Sequence, residues 1–149
     1  MSIEILSDEE LKALFAEVKT IAVVGLSPNP SRPSHMVAAY LQKQGYRIIP
    51  VTPHQDNILG EKPYPDLLSI PESVDVVDIF RRPEFVPEIA KQAAAIGAKV
   101  LWMQQGVRSK EAADTARAAG MTVIEDDCMM AEHASLIGQN RGERYRRSA

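Results

Sequence analysis

The sequence predicts an α/β fold, a five-stranded parallel sheet with helices on both faces. Three observations lead there. Short runs rich in Val and Ile recur along the chain and are nearly continuous in apolar residues, as for strands covered on both sides. Stretches with apolar residues at helical spacing lie between most of them. Glycines stand just past three of those stretches, at Gly45, Gly97 and Gly120, where a helix ends in a left-handed residue. Strand–helix alternation of this kind implies parallel pairing through right-handed crossovers.

Taken in order, Ser7 is placed to cap a first helix over residues 7–18, with Glu10 three residues on as the partner of a capping box. Leu11, Leu14, Phe15 and Val18 give it an apolar stripe. The first strand is expected over Thr20–Gly25, followed by a helix over Ser34–Gln44 that carries Met36, Val37, Tyr40 and Leu41. The second strand is Arg47–Thr52. The connection after it is rich in loop residues, with only a short helix at Pro65–Ile70. The remaining strands are Val74–Phe80, Lys99–Met103 and Thr122–Glu125. Helices at Pro83–Ile96 and Ser109–Ala119 lie between them, and a last helix covers Asp127–Ile137. The expected sheet is Rossmann-like, of strand order 3-2-1-4-5.

The 149 residues make one domain, 1–149, with a flexible tail from about 140 to 149. A chain of this size buries roughly 70% of its unfolded surface. Hydrophobic residues at 45% and charged residues at 25% are ordinary for a globular chain. A formal net charge of −3 argues against general attraction to nucleic acid. The basic stretch Asn140–Arg147 reads as a solvated terminus. The single cysteine, Cys128, excludes an internal disulfide and a cysteine-cluster metal site. No apolar run approaches the roughly 20 residues that span a bilayer. The acidic N-terminus has no signal-peptide layout. A cytoplasmic protein without a membrane partner is expected.

Ligands of such sheets sit beyond the carboxyl ends of the strands, near the switch in strand order. The loop Gly25–Ser34 falls there. Gly25 permits a sharp turn and a close backbone approach. Ser27, Ser31 and Ser34 bring hydroxyls, and Arg32 brings a forked cationic donor. The following helix start offers free N–H groups suited to phosphate. The other reading is a purely structural turn, since Gly, Pro and Ser make turns anyway. The dinucleotide fingerprint is absent, because Ser27 and Pro30 stand where its second and third glycines belong. Nor does the second strand end in the carboxylate that binds NAD's ribose: no acid follows until Asp56. No P-loop motif occurs.

Three stretches, "VVGLSPNPSRPSHMVAAYLQKQGYRIIPVTP", "EKPYPDLLSIPESVDVVDIFRRPE" and "GAKVLWMQQGV", resemble the small stand-alone CoA-binding proteins. These are similar to the CoA-binding domain of the succinyl-CoA synthetase alpha subunit. The resemblance runs from about Thr20 to Leu136 and implies a Rossmann-like fold that binds coenzyme A. It implies that Gly25, Ser27, Pro30, Arg32, Pro33 and Ser34, with Leu26 between them, hold the phosphates. It also implies a ligand-facing turn at Pro50-Val51-Thr52-Pro53, where Thr52 replaces the family's asparagine. The synthetase's phosphorylated histidine belongs to a further domain without a counterpart in these residues, so its chemistry does not carry over.

Other groups have two readings each. Arg81 and Arg82 follow the third strand and are suited to phosphates, or else cap the next turn or pair with Glu84, and one arginine in the site is preferred over both. Phe80 packs beside an adenine or belongs to the core. Gln104 and Gln105 can hydrogen-bond a ligand, and Gly106 permits close approach. Trp102 reads as core. In "EDDCMMAEH", Cys128 and His133 are spaced unfavourably for a nucleophile pair. Asp126 or Asp127 reads as a helix cap, and Cys128 and the methionines as packing. His54 contacts a phosphate or is an exposed loop residue. The expected ligand-binding set is therefore Gly25, Leu26, Ser27, Pro30, Arg32, Ser34, Pro50, Thr52, Pro53, Phe80, Arg81, Arg82, Gln104 and Gly106, with no catalytic and no metal-ligating residue. The functional expectation is a module that binds CoA or an acyl-CoA. The alternatives are an NAD(P)-dependent enzyme, a CoA-using acyl-transfer or thiol enzyme working through Cys128, and a regulatory protein whose partner reads the CoA-bound state.

Overall fold

The computed structural model describes residues 5–54 and 56–138, so the expected flexible tail at 140–149 lies outside the described residues. Helix α1, Asp8–Glu17, starts as the sequence requires. The Ser7 hydroxyl accepts the Glu10 N–H at 3.1 Å and the Glu10 carboxylate accepts the Ser7 N–H at 2.8 Å. Strand β1 is Thr20–Val24, helix α2 Pro33–Lys43 and strand β2 Arg47–Val51. A single 3-10 turn, Leu67–Ser69, capped by the Asp66 side chain, stands where a short helix was expected. Strand β3 is Val76–Ile79, and a 3-10 turn at Pro83–Phe85 leads into helix α3, Val86–Ala95. Strand β4 is Val100–Met103, helix α4 is Lys110–Ala118, and strand β5 is Thr122–Ile124. Helix α5 is short, Met129–His133, and is continued by a π-type turn over Ala134–Gly138. Gly45, Gly97 and Gly120 all have positive φ at the ends of α2, α3 and α4.

All strands pair in parallel, in the order β2-β1-β3-β4-β5. Fold class and parallel pairing are as expected, and the neighbours β2-β1 and β4-β5 are those of the order 3-2-1-4-5. The third strand lies on the other side of β1, between it and β4. The reason is visible in the β2–β3 connection. Tyr64 forms one parallel bridge with Val51 on the outer edge of β2, where a third strand would have to pair. The Tyr64 N–H donates to the Pro50 carbonyl at 3.0 Å, and the Thr52 N–H donates to the Tyr64 carbonyl at 2.8 Å. The edge is taken, and the chain returns to bury β3 in the middle, where each of its residues is inaccessible.

Alternate residues of the strands serve two cores. Ala22, Val24, Ile49, Val77, Ile79, Leu101 and Met103 pack under α3 and α4. Ile21, Val23, Ile48, Val76, Val100 and Trp102 pack under α1, α2 and α5. Trp102 is fully buried, and its indole N–H donates to the Asp127 carbonyl at 2.8 Å. One polar residue interrupts the second face: Asp78, in register between Val23 of β1 and Trp102 of β4.

Candidate functional site

The loop after β1 is built largely by its own side chains. The Gly25 N–H extends the sheet ladder to the Val51 carbonyl at 2.9 Å, and its φ is +89°. A Cβ at Gly25 would run into the Phe80 carbonyl. The Ser27 N–H donates to the Ser34 hydroxyl at 3.0 Å, and His35 Nδ1 lies 2.9 Å from the Ser27 carbonyl. The Asn29 N–H donates to the Ser27 hydroxyl, and the Asn29 side-chain oxygen accepts from both the N–H and the hydroxyl of Ser31. These bonds hold the loop in one shape before any ligand arrives. Helix α2 begins under it with Arg32 as N-cap, without a side-chain cap, and Pro33 in its first turn.

A cleft of about 410 Å³ opens between this loop and the ends of β3 and β4. Gly25, Ser27, Arg32, Pro33, Ser34, Val37, Phe80, Gln104, Gln105, Val107 and Cys128 line it. It lies beyond the carboxyl ends of β1 and β3, where successive strands change direction across the sheet, the usual place for a ligand in an open α/β sheet. Hydroxyls, an exposed arginine and a helix start face an aromatic ring, two amides and a thiol.

Of the expected ligand-binding set, Gly25, Ser27, Arg32, Ser34, Phe80 and Gln104 come together in this cleft. The others do not line it. Leu26 is core, and Pro30 sits exposed on the loop's outer side. Pro50 and Thr52 are buried and tied to Tyr64, while Pro53 is exposed beyond them. Arg81 lies on the opposite sheet face, its guanidinium 4.2 Å from the Phe85 ring centroid, in a separate hollow of about 240 Å³ with Leu67, Glu84 and Glu88. The Arg82 side chain is 76% exposed and faces Glu84 at 3.8 Å, the pairing its sequence position offers as the alternative to a phosphate. Gly106 gives its N–H to Asp126 at 2.7 Å. That bond and Arg108 hold the Asp126 carboxyl below its ordinary range. Asp126 therefore closes the turn after β4 and is not a helix cap. The N-cap of α5 is Cys128, and Asp127 accepts the Cys128 N–H.

Residues that the expected set omitted also line the cleft. Val37 sits one turn into α2, so helical spacing from Ser34 was its signal. Gln105, which follows Gln104 at the end of β4, lines the cleft too. Val107 and Cys128 come from segments distant in sequence, and Cys128, read as packing, is half-buried in the cleft wall. His133 is buried instead. Its Nδ1 lies 2.9 Å from the Tyr40 hydroxyl, and its ring meets Phe15 and Tyr46 edge-on. It packs the α1–α2–α5 side of the molecule, away from the cleft lining.

Beneath the cleft floor lies Asp78, fully buried. It occupies the same face of β3 as Phe80, two residues earlier. The Gln104 amide donates to its Oδ1 at 2.6 Å, while Oδ2 has no hydrogen-bond partner among the described residues. Burial pushes this carboxyl up to about 7, against the lowering effect of the Gln104 bond. A second cavity, about 460 Å³ at the junction of α1 and the end of β5, is faced by Asp8, Glu125, Asp126, Asp127 and Glu132 together with Arg108 and Arg117. A hydrogen bond with Asp127 pushes Glu132 up to about 7. Among the described residues no group of His, Cys, Asp and Glu is arranged to hold a metal, and no helix is long and apolar enough to cross a membrane.

Comparison with known proteins gives a consistent result. The family model described as CoA binding domain matches residues 19–134. An uncharacterized Bacillus subtilis protein, YneT, is 43% identical over 128 residues, which cover 86% of this chain and 95% of that one. The ADP-forming acetate–CoA ligase II of Archaeoglobus fulgidus is 36% identical over 92 residues, and the match spans 60% of this chain but only 14% of the ligase. Among solved structures, a hypothetical protein from Pyrococcus horikoshii superposes with a TM-score of 0.87 at 39% identity, covering 93% of this chain and all (100%) of that one. A Thermus thermophilus protein does so with a TM-score of 0.85 at 38% identity over 89% of this chain and 100% of its own.

Proposed function

This chain belongs to the CoA-binding domain family, and on that premise we propose that it binds coenzyme A or an acyl-CoA in the cleft at the ends of β1, β3 and β4, as a binding module. The observation that carries the reading is the preformed loop over α2. It presents Ser27, Arg32 and Ser34 to one concave space opposite Phe80 and Gln104. The pyrophosphate of CoA suits the helix start and the Arg32 guanidinium. The pantetheine arm, a chain of amides and methylenes ending in a thiol, suits Val37, Phe80, Val107 and the two glutamines. The turn at Pro50, Thr52 and Pro53, and Arg81 on the opposite sheet face, do not line the cleft and are assigned no contact in it. Arg82, already facing Glu84, and Gly106, already bonded to Asp126, are assigned no contact.

Two measurements test this. In side-by-side calorimetry CoA is expected to bind more tightly than NAD or NADH. Thr52 and Pro53 follow β2 without a ribose-binding acid, and a carboxylate there would repel CoA's ribose phosphate. Tighter binding of NAD in the same buffer would sink the reading. Arg32→Ala is expected to weaken CoA binding by roughly 1–3 kcal/mol if its contact is a charge-assisted hydrogen bond. The wild-type affinity should fall as salt rises, since exposed phosphate contacts are screened. An unchanged affinity in Arg32→Ala would move the phosphates away from this loop.

A further inference from the structure

We propose that Asp78 positions the Gln104 side chain, holding its amide with the carbonyl oxygen toward the cleft, so that Gln104 selects a ligand group that donates an N–H. The proposal rests on the CoA-binding reading and deepens it, since the arm of CoA carries amide N–H groups. Gln104 stands just past β4, two positions beyond Trp102, the register partner of Asp78 on β3. Alternation along a strand puts residues two apart on one face, so Asp78 and Gln104 share the face of Phe80. Each polar group of Gln104 except one has a protein partner. Its backbone N–H donates to the Ile79 carbonyl at 3.3 Å, and its backbone carbonyl accepts the Val107 N–H at 2.8 Å. Its side-chain nitrogen donates to Asp78 Oδ1 at 2.6 Å. That leaves the side-chain oxygen, Oε1. Among the described residues, Asp78 Oδ2 is the only side-chain oxygen or nitrogen both sealed from solvent and without a hydrogen bond. Gln104 Oε1 is therefore not sealed in, although the residue as a whole is only 4% exposed. The cleft that Gln104 lines is where this oxygen opens.

The chemistry of the carboxylate sets the direction. A carboxylate accepts hydrogen bonds and cannot donate them, so it takes only the N–H side of a neighbouring amide. Asparagine in the same place would offer both an oxygen and an N–H and would serve the Gln104 amide in either direction. Burial disfavours the ionised carboxyl and holds it up at about 7. Asp78 is thus a destabilising choice for a position that asparagine would fill in the same shape. Polarity is what distinguishes the two: with the ionised carboxylate, Gln104 turns an acceptor to the cleft and not a donor.

The test is calorimetry at pH 8, where most of the carboxyl is ionised, with CoA and with adenosine 3′-phosphate 5′-diphosphate, which is CoA without its arm. Asp78→Leu keeps the bulk and removes the acceptor. It is expected to weaken CoA binding about fivefold or more and to change the arm-less nucleotide by less than about twofold. Asp78→Asn is expected to bring CoA back to within about threefold of the wild type, because a bound N–H can select the right polarity there. Gln104→Leu should lose CoA affinity as Asp78→Leu does, and the double variant should lose no more than either alone. Circular dichroism checks that each variant is folded. If Asp78→Leu is not, exchange of the Gln104 side-chain amide hydrogens in the wild type, read by NMR, takes its place. They are expected to stay protected when CoA binds, and loss of that protection would overturn the positioning role. Equal losses for CoA and the arm-less nucleotide, or no loss in Asp78→Leu, would overturn it too. So would an Asp78→Asn loss as large as that of Asp78→Leu, or a full further loss in the Gln104→Leu background. All of these leave CoA binding standing. Failure of the wild type to bind either ligand would overturn both readings.

Discussion

Gly25→Val is expected to abolish most CoA binding, by at least tenfold, or about 1.4 kcal/mol, and to cost stability as well. Gly25 sits at φ +89°, which a β-branched residue adopts only under strain, and its missing Cβ is where the Phe80 carbonyl lies. Such a backbone costs roughly 1–3 kcal/mol, and overpacking adds a comparable amount, about 1–3 kcal/mol. The chain has two ways to relieve the clash. It can push the end of β3 away, which widens the cleft, or twist the loop, which breaks the Gly25–Val51 ladder bond and misplaces Ser27. Either route damages the site. Urea unfolding and circular dichroism report the first effect, and calorimetry with CoA reports the second. A folded Gly25→Val protein with near-normal affinity would place the ligand elsewhere.

Asp78→Asn is expected to stabilise the protein at pH 8 and to flatten its pH dependence. Burial holds the native carboxyl up at about 7, whereas in an unfolded chain it titrates near its ordinary value. Between those two values the native chain keeps a proton that the unfolded chain has released. Stability therefore falls as pH rises across this window, by up to roughly 4 kcal/mol for about three units, and levels off above it. Asparagine keeps the shape and an oxygen to accept from Gln104, without a charge to bury. At pH 8 the variant should exceed the wild type by about 1–3 kcal/mol, and near pH 4 the two should converge. The raised Glu132 gives a slope of the same sign, and it cancels in the difference between the two proteins. Urea midpoints at several pH values measure this. A wild type more stable than Asp78→Asn at pH 8 would show that the ionised carboxylate has a partner in the native state.

Local features were legible from residues alone because each depends on neighbours within a turn. The Ser7–Glu10 capping box and the glycines ending α2, α3 and α4 depend only on residues a few positions away, and the five strands announce themselves by apolar runs within their own few residues. The cleft was legible in its first half for the same reason: Gly25, Ser27, Arg32 and Ser34 are one loop and one helix start. Strand alternation carried one further message. Phe80 and Arg81 are successive residues at a strand end, and successive side chains point to opposite faces, so the cleft that takes Phe80 leaves Arg81 to the ring of Phe85. What tertiary structure decided was the company each segment keeps. Tyr64 occupies the outer edge of β2 and sends β3 to the other side of β1, a pairing between distant residues that no local pattern encodes. Asp126 takes the Gly106 N–H from across a 20-residue separation, and Cys128 enters the cleft from the end of the fold. In each case the deciding energy is a contact between segments far apart in the chain, formed only once the sheet has chosen its order.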